Sequence, residues 1–458
     1  MENITEEINK KQIRNKIYSL ILPITIENIL QMVAGMVSMS MIGRIDVLAI
    51  GALGISMRIT QIIWSLFKGI TTGATVFVAQ SYGANNYKKM RNVIQQTILS
   101  SIILVIILQI LVYFKAPLLL SVFNPTPELM DRAVLYMRTV CFGLPFLAIM
   151  LIVGGVLQGM GNAKTPMKIT LIMNVINIAV AYVLIFGKLG VTPMGIKGAA
   201  IATVVSQAAA ACIGLYVLFS CNGVMACRLN KDFFRADVHQ ISDVYRVGMP
   251  TAMESIFWQI AAIILTRAIL TYGETAFAAH QMGMQAESIS YMPAMGFGVA
   301  ATALVGQALG AKDKFLAKAY IKEIIKGALL ITSFSVIILV FFPKQMMGLL
   351  TNNTEIIKLG AKYLILMGLV QLPQNASGVL LGTMRGAGHT KVPMIVAGAG
   401  LWGVRVPFTL LVAYVFKLSI VAIWGVMCID LVFRFLLSFT IYKKKDIYES
   451  TIAIDNNF

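Results

Sequence analysis

Two acidic residues hold matching places in apolar surroundings. Glu27 stands four residues after Pro23 in the run from Leu22 to Gln31, and Glu254 stands four residues after Pro250 in the run from Met249 to Trp258. Each is followed by enough apolar residues to cross a bilayer. A carboxylate in hydrocarbon costs roughly 2.5–3.5 kcal/mol, so such a group faces a bundle interior or a wet cavity. The chemistry open to it there is exchange: a proton, a sodium ion at Glu254 or Glu27, or an organic cation competes for one negative charge, and protonation releases whatever that charge held. Helical spacing from the first acid gives Glu27, Gln31, Ala34 and Ser38, a polar stripe suited to a wet wall, whereas Trp258, Ala261 and Leu265 follow the second and are drier. Each proline also deprives the carbonyl four residues earlier of its helical partner.

Other polar residues in apolar runs are candidates of the same kind. Glu287 and Gln281 lie in the eighth run, and Gln371, Gln374 and Asn375 in the tenth. Asn174 and Asn177 lie in the fifth. These amides line a cleft or bond helix to helix. Asp430 and Arg434, four apart in the last run, are expected to pair with each other as a structural unit. Glu287 falls opposite Arg58 if the two halves are superposed, either as a pair across the lobes or with each beside water. Lys68 and Arg267 are placed to snorkel. His280 and His389 read as ordinary hydrogen-bonding residues. The 27 methionines, with Trp64, Trp258 and Tyr291, offer an adaptable, polarizable lining or plain core filler. No phosphate-cradling Gly-Lys-Ser/Thr loop or catalytic constellation is present, so neither an enzyme nor a cofactor is expected. Cys141, Cys212, Cys221, Cys227 and Cys428 show no paired metal spacing and no disulfide framework.

The elements that must position these groups are membrane helices. The 458 residues are 58% hydrophobic and 13% charged, with a mean hydropathy of +0.80. A globular chain has roughly 45–50% apolar and about 25% charged residues. Apolar runs of about 20 to 30 residues alternate with Gly, Pro and basic clusters, giving about twelve helical spans in an all-α polytopic membrane protein. The expected divisions are a cytoplasmic segment 1–16, a first lobe 17–221, a cytoplasmic linker 222–242, a second lobe 243–442 and a cytoplasmic tail 443–458. Met1 to Lys16 is polar and does not read as a cleavable signal peptide. The net charge of +18 gathers in alternate loops, at Lys10 to Lys16, Lys88 to Arg91, Arg228 to Arg235, Lys312 to Lys322 and Lys443 to Lys445. That bias places both termini in the cytoplasm and removes the case for nucleic acid.

The second half replays the first. The segment Gly73 to Ala84 reappears as Ala300 to Ala311, Gln158-Gly159-Met160-Gly161 as Arg385-Gly386-Ala387-Gly388, and Pro166-Met167 as Pro393-Met394. The offset is about 227 residues throughout, as it is for the two acids. Six spans per half make the second half enter from the same side as the first, so two pseudo-symmetric lobes are expected around a central cleft. Each acid, about ten residues into its span at about 1.5 Å per residue, falls near the middle of a roughly 30 Å core.

The two Gln-x-x-Gly-Ala turns, Ala278-Ala279-His280-Gln281, Arg385-Gly386-Ala387-Gly388 with Pro393, and twelve spans in two halves together resemble the multidrug and toxic-compound extrusion (MATE) family over about residues 15 to 442. The resemblance implies a two-lobed antiporter in the inner membrane of a prokaryote. It would be driven by a proton or sodium gradient, touch only membrane lipid and small organic cations, and work as a monomer. The alternatives are a flippase for a lipid-linked precursor and an exporter of one particular metabolite, an anion included, through Arg58 or Arg405. Where many members of the family carry an acid, this chain has Ser38, Trp258 and Gln374, so the usual ion positions do not transfer and Glu27 and Glu254 stand as their replacement.

Overall fold

Inside a bilayer every backbone N–H and C=O needs a partner within the chain, and a helix supplies one for each. The computed structural model describes residues 2–43, 47–123, 125–190, 192–220, 223–225, 237–444 and 448. Among them each long apolar run is a helix. The first seven helices are α1 (Glu2–Gly43), α2 (Val47–Gly83), α3 (Tyr87–Ser121), α4 (Pro127–Val140), α5 (Leu144–Gly159), α6 (Lys164–Phe186) and α7 (Gly195–Phe219). The replay consists of α8 (Val238–Leu270), α9 (Glu274–Gly310), α10 (Lys314–Phe341), the short α11 (Pro343–Gly348), α12 (Thr354–Gly386), α13 (Lys391–Gly400), α14 (Val406–Leu410) and α15 (Ile420–Lys444). Twelve segments among the described residues are long and apolar enough to span a membrane. The expected turn at Arg44 to Asp46, Cys221 and Cys227, most of the linker and most of the tail lie outside the described residues.

Two spans are interrupted. A 3₁₀ turn at Cys141–Gly143 joins α4 to α5, where Pro145 has no N–H to donate. The eleventh span widens into π-helical turns at Leu401–Arg405 and Leu411–Val415, on either side of Pro407. Insertions of this kind accompany a proline or a side chain that must be re-aimed. Here the first of them carries Arg405 inward, to 4% exposure.

The chain packs as two compact units. One, called here the second-repeat unit, comprises Met1–Thr25, Ala79–Asn85 and Pro250–Phe458; the other, the first-repeat unit, comprises Ile26–Val78 and Asn86–Met249. These differ from the expected lobes 17–221 and 243–442 in a regular way. The boundary falls inside α1 just after Pro23 and inside α8 at Pro250, so each repeat's opening helix begins in one unit and continues in the other. Close approach explains where the early turns go. In the second-repeat unit, Gly296 of α9 faces the Ile21 carbonyl and the Thr25 hydroxyl of α1. In the first-repeat unit, Gly69 and Gly73 of α2 face Val244 and Gly248 of α8, where an added Cβ would strike backbone.

A second repeated device sets the interior of each unit. Gly155 and Gly159 of α5 press on Thr71 and Thr75 of α2, and at the same offset Gly382 and Gly386 of α12 press on Gly298 and Thr302 of α9. The Thr302 hydroxyl donates to the Gly382 carbonyl at 2.9 Å. Within a membrane, packing between helices relies on such small residues, because apolar side chains gain little by leaving lipid. The twin Gln-x-x-Gly turns close on each other in the same way. A Cβ at Gly83 would overlap the Gln307 carbonyl, one at Gly310 would overlap the Gln80 carbonyl, and Gln80 Nε2 donates to the Gly386 carbonyl at 2.9 Å.

Candidate functional site

The two acids of the repeat have different fates. Glu27, on α1, receives the Gln158 amide of α5 and the Thr170 hydroxyl of α6, both at 3.3 Å. Glu254, on α8, receives Arg385 Nη2 of α12 on both oxygens, at 2.7 and 2.8 Å. Gln158 and Arg385 are equivalent under the repeat, so the duplication has kept the contact and changed its charge. Two neutral donors at the long end of hydrogen bonding leave the Glu27 carboxylate without a covering charge from either. A guanidinium at 2.7 Å cancels Glu254. Exchange was expected at one or both acids, and of the two it is Glu254 whose carboxylate is ion-paired within its own unit.

Glu27 opens on a small cavity of about 40 Å³, lined by Gln31 and Lys68 as well as Gln158 and Thr170, with Gly154, Gly155, Gly214 and apolar groups completing the wall. That volume admits an ion with a water or two and excludes an organic molecule. Lys68 was expected to snorkel from a span end. Instead it stands midway along the span Gly51–Gly83, close enough to act electrostatically on Glu27 and 6.0 Å from the centre of the Trp64 ring. Sequence reasoning gave neither Lys68 nor Gln158 a place beside the acid. The offset that links Gln158 to Arg385, each 131 residues from its acid, was the available signal for the second.

Further along α1 the polar stripe continues. Ser38 donates to Asn177 Oδ1 of α6 at 3.1 Å, and Asn177 Nδ2 donates to Ser206 of α7 at 3.2 Å. Beyond it, Met36, Val37, Ser40 and Met41 of α1 face Tyr182 and Phe186 of α6, with Lys188 just past that helix, across an open groove of about 720 Å³. This is the size of a drug-like ligand site, and Met36 and Met41 line it.

The second-repeat unit holds its remaining candidates in separate knots. Glu287 accepts from the Tyr363 hydroxyl at 2.6 Å and from Gln371 Nε2 at 2.7 Å, and that amide also lies 3.4 Å from Gln374 Oε1. Asn375, 3% exposed, gives its amide to Thr332 at 2.9 Å and Ser290 at 3.4 Å. These bonds join α9, α10 and α12, the helix-to-helix arrangement that was one of the two expected for these amides. Gln281 is exposed and apart from the Glu287 knot. His280, expected to hydrogen-bond, instead stacks edge-on against Tyr363 with its centre 5.4 Å away, and its buried Nδ1 has no partner among the described residues.

Asp430 accepts from Arg434 Nε at 2.9 Å and also from Arg434 Nη2, the contact that the four-residue spacing predicts. A third member joins it: Arg405 Nε donates to Asp430 Oδ2 at 2.6 Å, brought there by the π-helical turn. Gly400 makes room, since a Cβ would overlap Asp430 and Arg434.

Comparison with known proteins agrees with this architecture. The MatE family profile matches residues 23–183 and again 250–411. A relative described as "Probable multidrug resistance protein NorM" from Thermotoga maritima is 31% identical over 427 residues, covering 92% of this chain and 90% of its own length. "Probable multidrug resistance protein YoeA" from Bacillus subtilis is 25% identical over 423 residues, covering 92% and 91%. Among solved structures, a MOP superfamily transporter from Pyrococcus furiosus superposes with a TM-score of 0.86 at 20% identity, covering 94% of this chain and 95% of that one. An outward-facing multidrug resistance MATE family transporter superposes with a TM-score of 0.85 at the same identity.

Proposed function

Because the chain belongs to the MatE family of membrane transporters, we propose that it is a cation-coupled antiporter exporting amphipathic organic cations by alternating access, with Glu27 as the exchange acid. The observation that carries this reading is the asymmetry of the repeat. Of two equivalent acids, one is neutralised by Arg385 and the other is held by two neutral donors beside an ion-sized cavity. A proton or sodium ion in that cavity satisfies the carboxylate and discharges it. Lys68 shares the cavity and acts electrostatically on Glu27, so it is the internal competitor for the same charge. Gln31 and Thr170 supply further oxygen ligands, as sodium requires. Cargo is too large for this cavity and uses the larger groove along α1, beyond the Ser38 and Asn177 pair, where thioethers and aromatic rings adapt to varied shapes.

Everted vesicles loaded with a fluorescent organic cation test the proposal, with a sodium gradient and a proton gradient imposed in turn. One gradient should drive cargo movement, and Glu27→Gln should abolish it while the protein still folds. Failure of both gradients overturns the antiport reading. Unchanged transport in Glu27→Gln overturns the site.

A further inference from the structure

Pro117 interrupts the hydrogen-bond ladder of α3, and the gap is filled from the next span. A proline has no N–H, so the Tyr113 carbonyl, four residues earlier, has no helical donor there. Arg138 of α4 takes that place, donating from Nε at 3.2 Å. Its guanidinium carbon stands 5.5 Å from the centre of the Tyr113 ring, and Phe142, one turn further along, meets that ring edge-on at 5.8 Å. A carbonyl and an aromatic face therefore hold the cation in place. No carboxylate answers its charge: among the described residues none lies within ion-pairing distance of Arg138, whereas the nearby Arg132 holds Glu128 at 2.9 Å. The terminal nitrogens of Arg138 likewise have no hydrogen-bond partner among the described residues, and the side chain is partly exposed.

The depth of this guanidinium follows from the charges along the chain. On α3 no charged residue occurs between Arg91 and Lys115, about 24 positions that span about 36 Å at about 1.5 Å each. The span after Arg138 is likewise uncharged as far as Lys164. A hydrocarbon core is roughly 30 Å thick, so Lys115 and Arg138 stand together at one edge of it, where headgroups begin. The adjoining surface is apolar. Ile107, Ile110, Phe114 and Leu118 recur at helical spacing on α3 and are all exposed, Phe114 to 69%, and Phe142 is exposed to 52%. Phe114 meets the Tyr113 ring edge-on at 5.4 Å, which joins this stripe to the guanidinium. An exposed stripe of this length without a polar side chain, inside a membrane span, lies against acyl chains. A guanidinium fork matches the paired oxygens of a phosphate and keeps its charge at every physiological pH. We propose that Arg138 is the headgroup site for one anionic phospholipid, taking the phosphate while the acyl chains lie along Phe114 and Phe142. A zwitterionic headgroup fits less well, because its ammonium brings a second cation to a guanidinium that already lacks a counter-ion.

The test places an indole beside the site. Phe142→Trp and the parent chain are each put in phosphatidylcholine nanodiscs that contain a fixed fraction of brominated-chain phosphatidylglycerol or of brominated-chain phosphatidylcholine. The difference in quenching between the two chains isolates the added tryptophan. Phosphatidylglycerol should quench it with about three- to fivefold higher apparent association than phosphatidylcholine, the scale of one interfacial cation. Adding Arg138→Gln should bring the two lipids level. Lys115→Gln removes the same charge at the same depth, about 200° round α3 from Tyr113, and should leave the preference in place. Equal quenching by the two lipids with Arg138 present overturns the proposal, as does a preference that survives Arg138→Gln. A preference lost as fully in Lys115→Gln as in Arg138→Gln would be general charge attraction without a site, and an indole that neither lipid quenches would not face acyl chains; either result also overturns it.

Discussion

At the scale of residues, the chemistry divides on one substitution between the repeats. Gln158 and Arg385 approach their acids from equivalent places, yet an amide leaves a carboxylate charged and a guanidinium cancels it. Gln158→Arg should therefore copy the second repeat's salt bridge onto Glu27 and cut gradient-driven transport about tenfold or more, with the acid still present. Vesicle uptake alongside an unchanged elution profile would check this, and normal uptake would argue that a tied Glu27 still exchanges. The reverse experiment concerns stability. Glu254→Gln strands the partly buried Arg385 charge, at an expected cost of about 3 kcal/mol, and adding Arg385→Gln should recover most of it, because the damage is the unpaired ion and not the missing bond. Thermal unfolding in detergent would show the double variant closer to the parent than the single one, and the opposite order would contradict the assignment.

At the scale of elements, helices meet through glycines whose positions repeat. Gly382 and Gly378 are one turn apart on α12, but a Cβ at Gly382 would strike the Gly298 backbone whereas one at Gly378 would meet nothing within 4 Å. Gly382→Ala should destabilise by about 1–3 kcal/mol through overpacking. Gly378→Ala should be neutral or stabilise by about 0.5–1 kcal/mol, as expected for removing backbone freedom from a helix interior. Equal melting shifts for the two would mean that these helices are not packed as described. The apolar length and breaker pattern sufficed to find the twelve spans, because a bilayer leaves the backbone little choice. The 3₁₀ turn at Cys141–Gly143 and the π-helical turns around Pro407 were not legible, since a proline marks a possible interruption without saying which geometry absorbs it.

At the scale of the whole molecule, the basic loops predict cytoplasmic ends. Phe315, 87% exposed after the turn from α9 to α10, belongs to the cytoplasmic side on that reading, and Leu189, 88% exposed between α6 and α7, to the outer side. Single cysteines placed there in a chain cleared of its five native ones should separate in intact cells: a membrane-impermeant maleimide should label Leu189→Cys and spare Phe315→Cys. Labelling in the reverse order would invert the topology.

The amino-acid sequence alone determined that the chain is helical, spans a membrane about twelve times, is a duplication, and carries acids where lipid would exclude them. Those features follow from composition and period, which every residue of a span contributes to. Only tertiary structure decided that Glu254 is ion-paired with Arg385 while Glu27 meets Gln158, Thr170 and the charge of Lys68, that Asn375 fastens helices and that Arg405 completes the Asp430 cluster. Each of these turns on a partner tens to more than a hundred residues away or on which side of a helix meets which neighbour. A charge's availability depends on what stands within about 3 Å of it, and that distance is set by packing.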